Sequence, residues 1–161
     1  MDGILEKISS YNIFNNLFPG AVFIYLLEKS FGFPFSGSDM VKTVILYYFV
    51  GMVISRIGSL LLEPMLKKVK IIKFRSYYDY IAASASDKKI ELLQEIANTY
   101  RTLLTMSILY LSSIFIMQII TGKVFFISKI VSVSFLVIFL SSYIKQVNFV
   151  VKRIDKFTQN A

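Results

Sequence analysis

Arg56 stands thirteen residues into an apolar run, TVILYYFVGMVISRIGSLLL (Thr43–Leu62), with Ser55 and Ser59 beside it and Glu63 just past its end. A guanidinium inside a bilayer is costly, so it is retained where it has a partner or a task. Arg56 and Glu63 cannot pair directly, because seven residues separate them by about 10 Å along one helix axis. Each needs a partner on another helix or another copy of the chain. Glu28, at comparable depth in the preceding apolar run, is the nearest candidate for Arg56. Two readings stand. One is a buried ion pair that only fixes helix register. The other is a polar face of Glu28, Ser55, Arg56, Ser59 and Glu63 lining a water path.

A second concentration of charge follows. Lys67, Lys68, Lys70, Lys73 and Arg75 precede Tyr77, Tyr78 and Tyr80, and Arg101 adds a cation further along. Such a set binds phosphate. The phosphate can belong to acidic lipid heads, or to a nucleotide or oligonucleotide whose bases stack on Phe74 or Tyr77. Gly51, Ser55 and Ser59 recur every four residues, a stripe of small side chains that lets another helix approach closely.

Against these stands a list of missing chemistry. The chain has no histidine and no cysteine. That excludes imidazole bases, thiol nucleophiles and the usual structural zinc sites. No G-x-x-x-x-G-K-[ST], H-E-x-x-H or G-x-S-x-G run is present. Ser128 and Lys129 are adjacent and diverge on a helix, so they form no dyad. The sequence predicts a protein that is not an enzyme and uses no cofactor or metal.

The elements that must position these residues are apolar tracts with charge crowded between them. Of the 161 residues 55% are hydrophobic, and a soluble chain of this size would interleave polar and apolar positions throughout. The pattern predicts an all-α integral membrane protein forming one domain over 1–161. Its spans fall at about 17–35, 43–62, 103–121 and 124–144. The first is the least regular, since it carries Glu28 and Lys29, and a re-entrant hairpin competes there with a full crossing. Residues 1–16 read as an amphipathic helix on the membrane surface. Glu63-Pro64 marks a break at the edge of the second span.

Residues 63–102 form a cytoplasmic helical region. From Asp87 to Thr121 no glycine or proline intervenes, and Ile90, Leu93, Ala97, Tyr100, Leu104 and Ser107 repeat by three and four. This predicts one helix of roughly 50 Å, a stalk continuous with the third span and carrying an a/d seam. The basic tail, 145–161, reads as an amphipathic segment on the inner leaflet. Lys and Arg divide thirteen to three between the proposed inner and outer segments. That bias places both termini in the cytoplasm. The net charge of +8 is the same bias seen from outside, and it suits an anionic partner.

NNLFPG (Asn15–Gly20), SRIGSLLLEP (Ser55–Pro64), YYDYIAAS (Tyr77–Ser84) and NTYRTLL (Asn98–Leu104) resemble a family of small bacterial multi-span proteins from phage-defence loci. That family is similar in kind to the membrane effectors that accompany nucleotidyltransferase-type defence systems, the Hailong effector among them. The resemblance covers about residues 12–105. It implies an oligomeric inner-membrane effector that permeabilises the bilayer when signalled. It also implies a nucleotidyltransferase-type partner, while the four spans, the small-residue stripe and the a/d seam leave surfaces that one copy cannot bury, so a homo-oligomer is expected, with a tetramer first. A non-conducting membrane anchor that recruits a cytoplasmic partner is the competing expectation.

Overall fold

A computed structural model describes residues 13–37 and 39–159, and every regular element among them is helical. The predicted surface helix falls mostly on residues 1–12, outside the described residues. A π-helical turn, Ile13–Leu17, leads into α1 (Phe18–Phe31). There Pro19 occupies the first turn, where its missing N–H costs nothing. α1 stops at Gly32, whose φ of 75° is open to glycine and strained for other residues. α2 (Met40–Ile57) begins under an Asp39 cap that accepts the Val41 and Lys42 N–H groups.

Pro64 does not break the second span as expected. A π-helical turn, Gly58–Leu62, closed by the Glu63 N–H on the Gly58 carbonyl, carries the chain into α3 (Glu63–Lys68). The wider turn absorbs the register that proline cannot complete. α4 (Tyr77–Ser86) is capped by Ser76. α5 (Lys89–Thr121) is the predicted long uninterrupted helix, and α6 (Phe126–Gln159) is as long.

Three stretches are long and apolar enough to cross a bilayer: Met40–Lys68, Lys89–Thr121 and Phe126–Gln159. Their apolar side chains point outward as well as inward. Val44, Ile45, Ile119, Ile127 and Val137 are all exposed, which suits lipid rather than water as the surrounding solvent. The chain is therefore an all-α membrane protein. α1 alone, at about 21 Å, is shorter than the hydrocarbon core. Its contacts nevertheless fix its extent. Asn15, at its entry, bonds Ser55 and Thr102, while Phe31, at its end, stacks edge-on against Phe125 at 5.3 Å. Ser30 joins Tyr110 and Ser128 at that same end.

The seam predicted on α5 is filled from within the chain. Ala97 and Leu104 pack on Tyr143 and Val147, and Ile90 packs on Val150, Ile154 and Ala83. The tail belongs to the same packing. It continues α6 without a break and forms an antiparallel hairpin with α5, with α4 docked across it. The reason lies in the spacing of Tyr143, Val147, Val150 and Ile154, a three-four repeat that continues the α6 stripe beyond the apolar tract. Both ends of the hairpin extend past the apolar tracts and make up the polar end of the bundle.

α1 and α2 approach closely through glycines. A Cβ at Gly20 would overlap the Tyr47 carbonyl, and one at Gly51 would overlap the Asn16 carbonyl. Gly51 and Ser55 of the small-residue stripe thus pack against the π-helical turn that precedes α1 in the same chain.

Candidate functional site

The residues singled out by sequence separate into three places. Glu28 lies far from Arg56, at the turn end of the bundle. It folds back on the chain after α1, accepting the Phe35 N–H at 2.7 Å, the Ser36 N–H at 2.5 Å and the Ser36 hydroxyl at 2.7 Å. The expected Glu28–Arg56 pair does not form. Because α1 ends at Phe31 rather than at Phe35, Glu28 falls in the last turn, where loop amides claim it.

Ser55, Arg56, Ser59 and Arg101 meet instead around a cavity of about 390 Å³. Asn15, Asn16 and Asn98 complete its polar wall, with Tyr48 and Met52 alongside. The wall is tied together across three helices. Asn15 Nδ2 donates to Ser55 Oγ at 3.1 Å and to Asn16 Oδ1 at 3.0 Å. The Thr102 hydroxyl donates to Asn15 Oδ1 at 3.0 Å. Ser59 Oγ donates to the Arg56 carbonyl at 3.1 Å.

No carboxylate lines this space, while two guanidiniums do. Arg101 is nearly buried, with 11% of its side chain exposed. Its Nη1 donates to Glu63 Oε2 at 2.5 Å, but its buried Nε finds no acceptor among the described residues. Arg56 is exposed and has no ion-pair partner among the described residues. The cavity is therefore electropositive.

Glu63 leaves the polar face assigned to it and becomes a pin. It takes Arg101 with one carboxylate oxygen and Lys67 Nζ with the other, at 2.6 Å, with the Tyr143 hydroxyl at 3.5 Å. Its need for a partner on another helix is met by α5.

The pin also forms one wall of the third place, a groove of about 320 Å³ at the polar end, lined by Glu63, Lys67, Phe74, Arg75, Tyr77, Tyr80 and Gln94. Lys67 Nζ stands 4.6 Å above the Phe74 ring. Arg75 grips Asp155 with two parallel bonds, at 2.5 and 2.9 Å. This pairing holds the Asp155 carboxyl below the usual carboxylate range and raises the Arg75 value further. A similar clamp joins Arg153 to Asp87 at 2.5 Å, and Arg153 lowers the Asp87 carboxyl likewise. Asp87 also caps α5 by accepting the Lys89 N–H. Of the predicted phosphate-binding set, Lys67, Arg75 and Arg101 are in ion pairs. Lys68, Lys70 and Lys73 are exposed without a salt-bridge partner among the described residues. Lys70 sits at φ 61° in the turn after α3.

Asn15, Asn16, Asn98 and Thr102 were not anticipated as site residues. A signal existed in the Asn-Asn pair directly before an apolar run, where two amides need partners once α1 enters the bundle. Among the described residues no group of His, Cys, Asp and Glu is arranged to hold a metal ion. No protein-family model, curated protein or solved structure matches the chain.

Proposed function

We propose that the chain is a homo-oligomeric pore or channel-like effector of a bacterial inner membrane, gated at its polar end by an anionic ligand. The carrying observation is the electropositive cavity between α2, α5 and the π-helical turn before α1, with Arg56 lacking an ion-pair partner among the described residues, in helices whose outer surfaces are apolar. Several copies around an axis would join such cavities into a water path, which lowers the cost of Arg56. The lining is then Asn15, Asn16, Ser55, Arg56, Ser59, Asn98 and Arg101, and Glu63 stands behind it. The stalk seam no longer argues for assembly, since α6 fills it, so the case for several copies rests on the cavity. A tetramer remains the first expectation.

Gating fits the Glu63 pin. Lys67 belongs to the groove and Arg101 to the cavity, and one carboxylate holds both. A phosphate-bearing ligand stacked on Phe74 or Tyr77 would compete for Lys67 and Arg75. That would bias the bundle between two packings. Such a ligand agrees with the resemblance to effectors paired with nucleotidyltransferase-type partners and with an antiphage role.

In this reading α1 is a fourth span and both termini lie in the cytoplasm. The thirteen-to-three charge bias supports it. So does the extent of α1, which runs from the level of Thr102 to that of Phe125.

One observation favours a second reading. The clamps Arg75–Asp155 and Arg153–Asp87 stiffen a helical platform beyond the apolar tracts, and a membrane anchor would present such a platform to a partner. Ion flux from liposomes separates the two. The wild-type protein with its ligand or partner should release ions, and Arg56→Ala should change that flux while the oligomer survives. A wild type that stays silent under all these conditions supports the anchor instead.

A further inference from the structure

Arg56 belongs to two spaces at once. On one side is the polar cavity. On the other is an apolar groove of about 460 Å³ along the outside of α2, lined by Met52, Val53, Ile57, Leu60 and Leu61. Met52, Val53, Leu60 and Leu61 are all exposed. A cation without a partner thus stands between a polar recess without carboxylates and a surface fit only for hydrocarbon. Arg56 lies six residues, about 9 Å of helix rise, from the Leu62 end of the apolar run, within reach of the headgroup level for a snorkelling side chain.

We infer that this junction is a binding site for an acidic phospholipid. The phosphate sits on the Arg56 guanidinium at the cavity rim, and an acyl chain lies along the Met52–Leu61 strip. The head is selected by charge, since Arg56 has no ion-pair partner among the described residues and no carboxylate lines the cavity. The tail is selected by the groove, which offers almost no hydrogen-bonding partner. A small soluble anion would satisfy Arg56 and leave the strip unused, whereas a zwitterionic lipid would fill the strip and bring its own cation to Arg56. Only an anionic amphiphile uses both. This deepens the pore reading by placing a lipid regulator at the cavity rim, but binding at the site does not require that the protein conduct.

The test is native mass spectrometry of the purified full-length protein in mixed micelles containing phosphatidylglycerol or phosphatidylcholine. The wild type should retain phosphatidylglycerol with about a tenfold preference, which corresponds to about 1.4 kcal/mol. Arg56→Gln should lose the preference, and Arg56→Lys should keep most of it. Val53→Trp, which fills the groove and leaves the charge, should lower phosphatidylglycerol retention. Lys123→Gln, which removes an exposed cation from the outer turn, should leave the preference unchanged. The site is wrong if Arg56→Gln retains the preference, or if Lys70→Gln/Lys73→Gln alone abolishes it. It is also wrong if inorganic phosphate at micromolar concentration displaces the lipid, since the recess then takes a soluble anion. Loss of flux with lipid preference intact counts against the pore and leaves the lipid site standing.

Discussion

Replacing Glu63 with alanine removes the carboxylate that holds Arg101, and the structure sets the size of the effect. Three groups reach Glu63, and they are unequal. Lys67 is 45% exposed on its side-chain surface, so its loss is worth no more than about 1 kcal/mol. The Tyr143 hydroxyl at 3.5 Å is at the limit of a hydrogen bond and adds little. Arg101 decides the outcome. It is 11% exposed and already has one unsatisfied nitrogen, so losing Glu63 leaves a nearly buried charge uncompensated. Breaking a buried pair from one side costs about 3–5 kcal/mol.

Because Arg101 lines the cavity and keeps 11% of its side chain exposed, the lower end, about 3 kcal/mol, is the expected destabilisation of Glu63→Ala. Removing both charges as Glu63→Leu/Arg101→Met should restore most of it, since no ion is then stranded. Reversible unfolding in mixed micelles measures both variants. A Glu63→Ala protein within about 0.5 kcal/mol of wild type, or a double variant as unstable as the single, would refute the assignment of Glu63 as a pin.

Gly51→Ala should destabilise by about 3 kcal/mol and Gly58→Ala by about 1 kcal/mol. The added methyl overlaps the Asn16 backbone in the first case, and in the second it meets a side-chain atom, the Thr105 hydroxyl, at 2.6 Å and displaces its bond to the Arg101 carbonyl. The reverse order in the same unfolding assay would contradict the α1–α2 packing. Asp87 and Asp155 have carboxyl pKa values lowered by their arginines, so their contribution to folding is present above the unfolded value near pH 4 and lost as pH falls through the folded values. Hydrogen exchange in α4 and the polar end of α6 should accelerate below about pH 4, and Asp87→Asn/Asp155→Asn should flatten that rise. An unchanged pH profile in the double variant would mean the clamps do not hold the platform. In this chain without cysteine, single cysteines at Gly37 and Gly122 should label from outside the cell, and those at Ser86 and Thr158 only after permeabilisation. Labelling of Ser86 and Thr158 in intact cells would invert the orientation.

Long elements were legible in the sequence and side-chain partners were not. The apolar tract after Leu103 and the absence of glycine and proline from Asp87 to Thr121 were enough to predict α5, because helix continuity is a local property. The fate of the tail was also written in its three-four repeat. Its cations point toward an inner-leaflet surface, and its apolar stripe packs on the matching stripe of α5. Glu28 was misplaced for a geometric reason. α1 and α2 run in opposite directions, so Glu28 lies toward the turn that joins them and Arg56 toward the other end, and the amides after Gly32 claim the carboxylate. Arg101 and Glu63 lie thirty-eight positions apart, and only the crossing of α2–α3 with α5 brings them together. The same holds for Asn15 and Thr102, eighty-seven positions apart. Such pairs depend on packing angles that no local pattern encodes. Arg56 was recognised from its setting alone, since a charge in an apolar run is conspicuous whatever packs around it.

The central claim is a water path along the Ser55–Arg56–Ser59 side of α2. The absence of cysteine from the chain permits a direct measurement of it. Ser59→Cys places a thiol at the cavity, and Val44→Cys places one on an exposed apolar surface of the same helix. Each variant is reconstituted in liposomes, opened with its ligand or partner, and treated with a membrane-impermeant, negatively charged thiol reagent during flux. The account predicts that Ser59→Cys reacts when the protein is open and that its flux is blocked, while Val44→Cys does neither. A Ser59 thiol that never reacts, or that reacts without any change in flux, would contradict it.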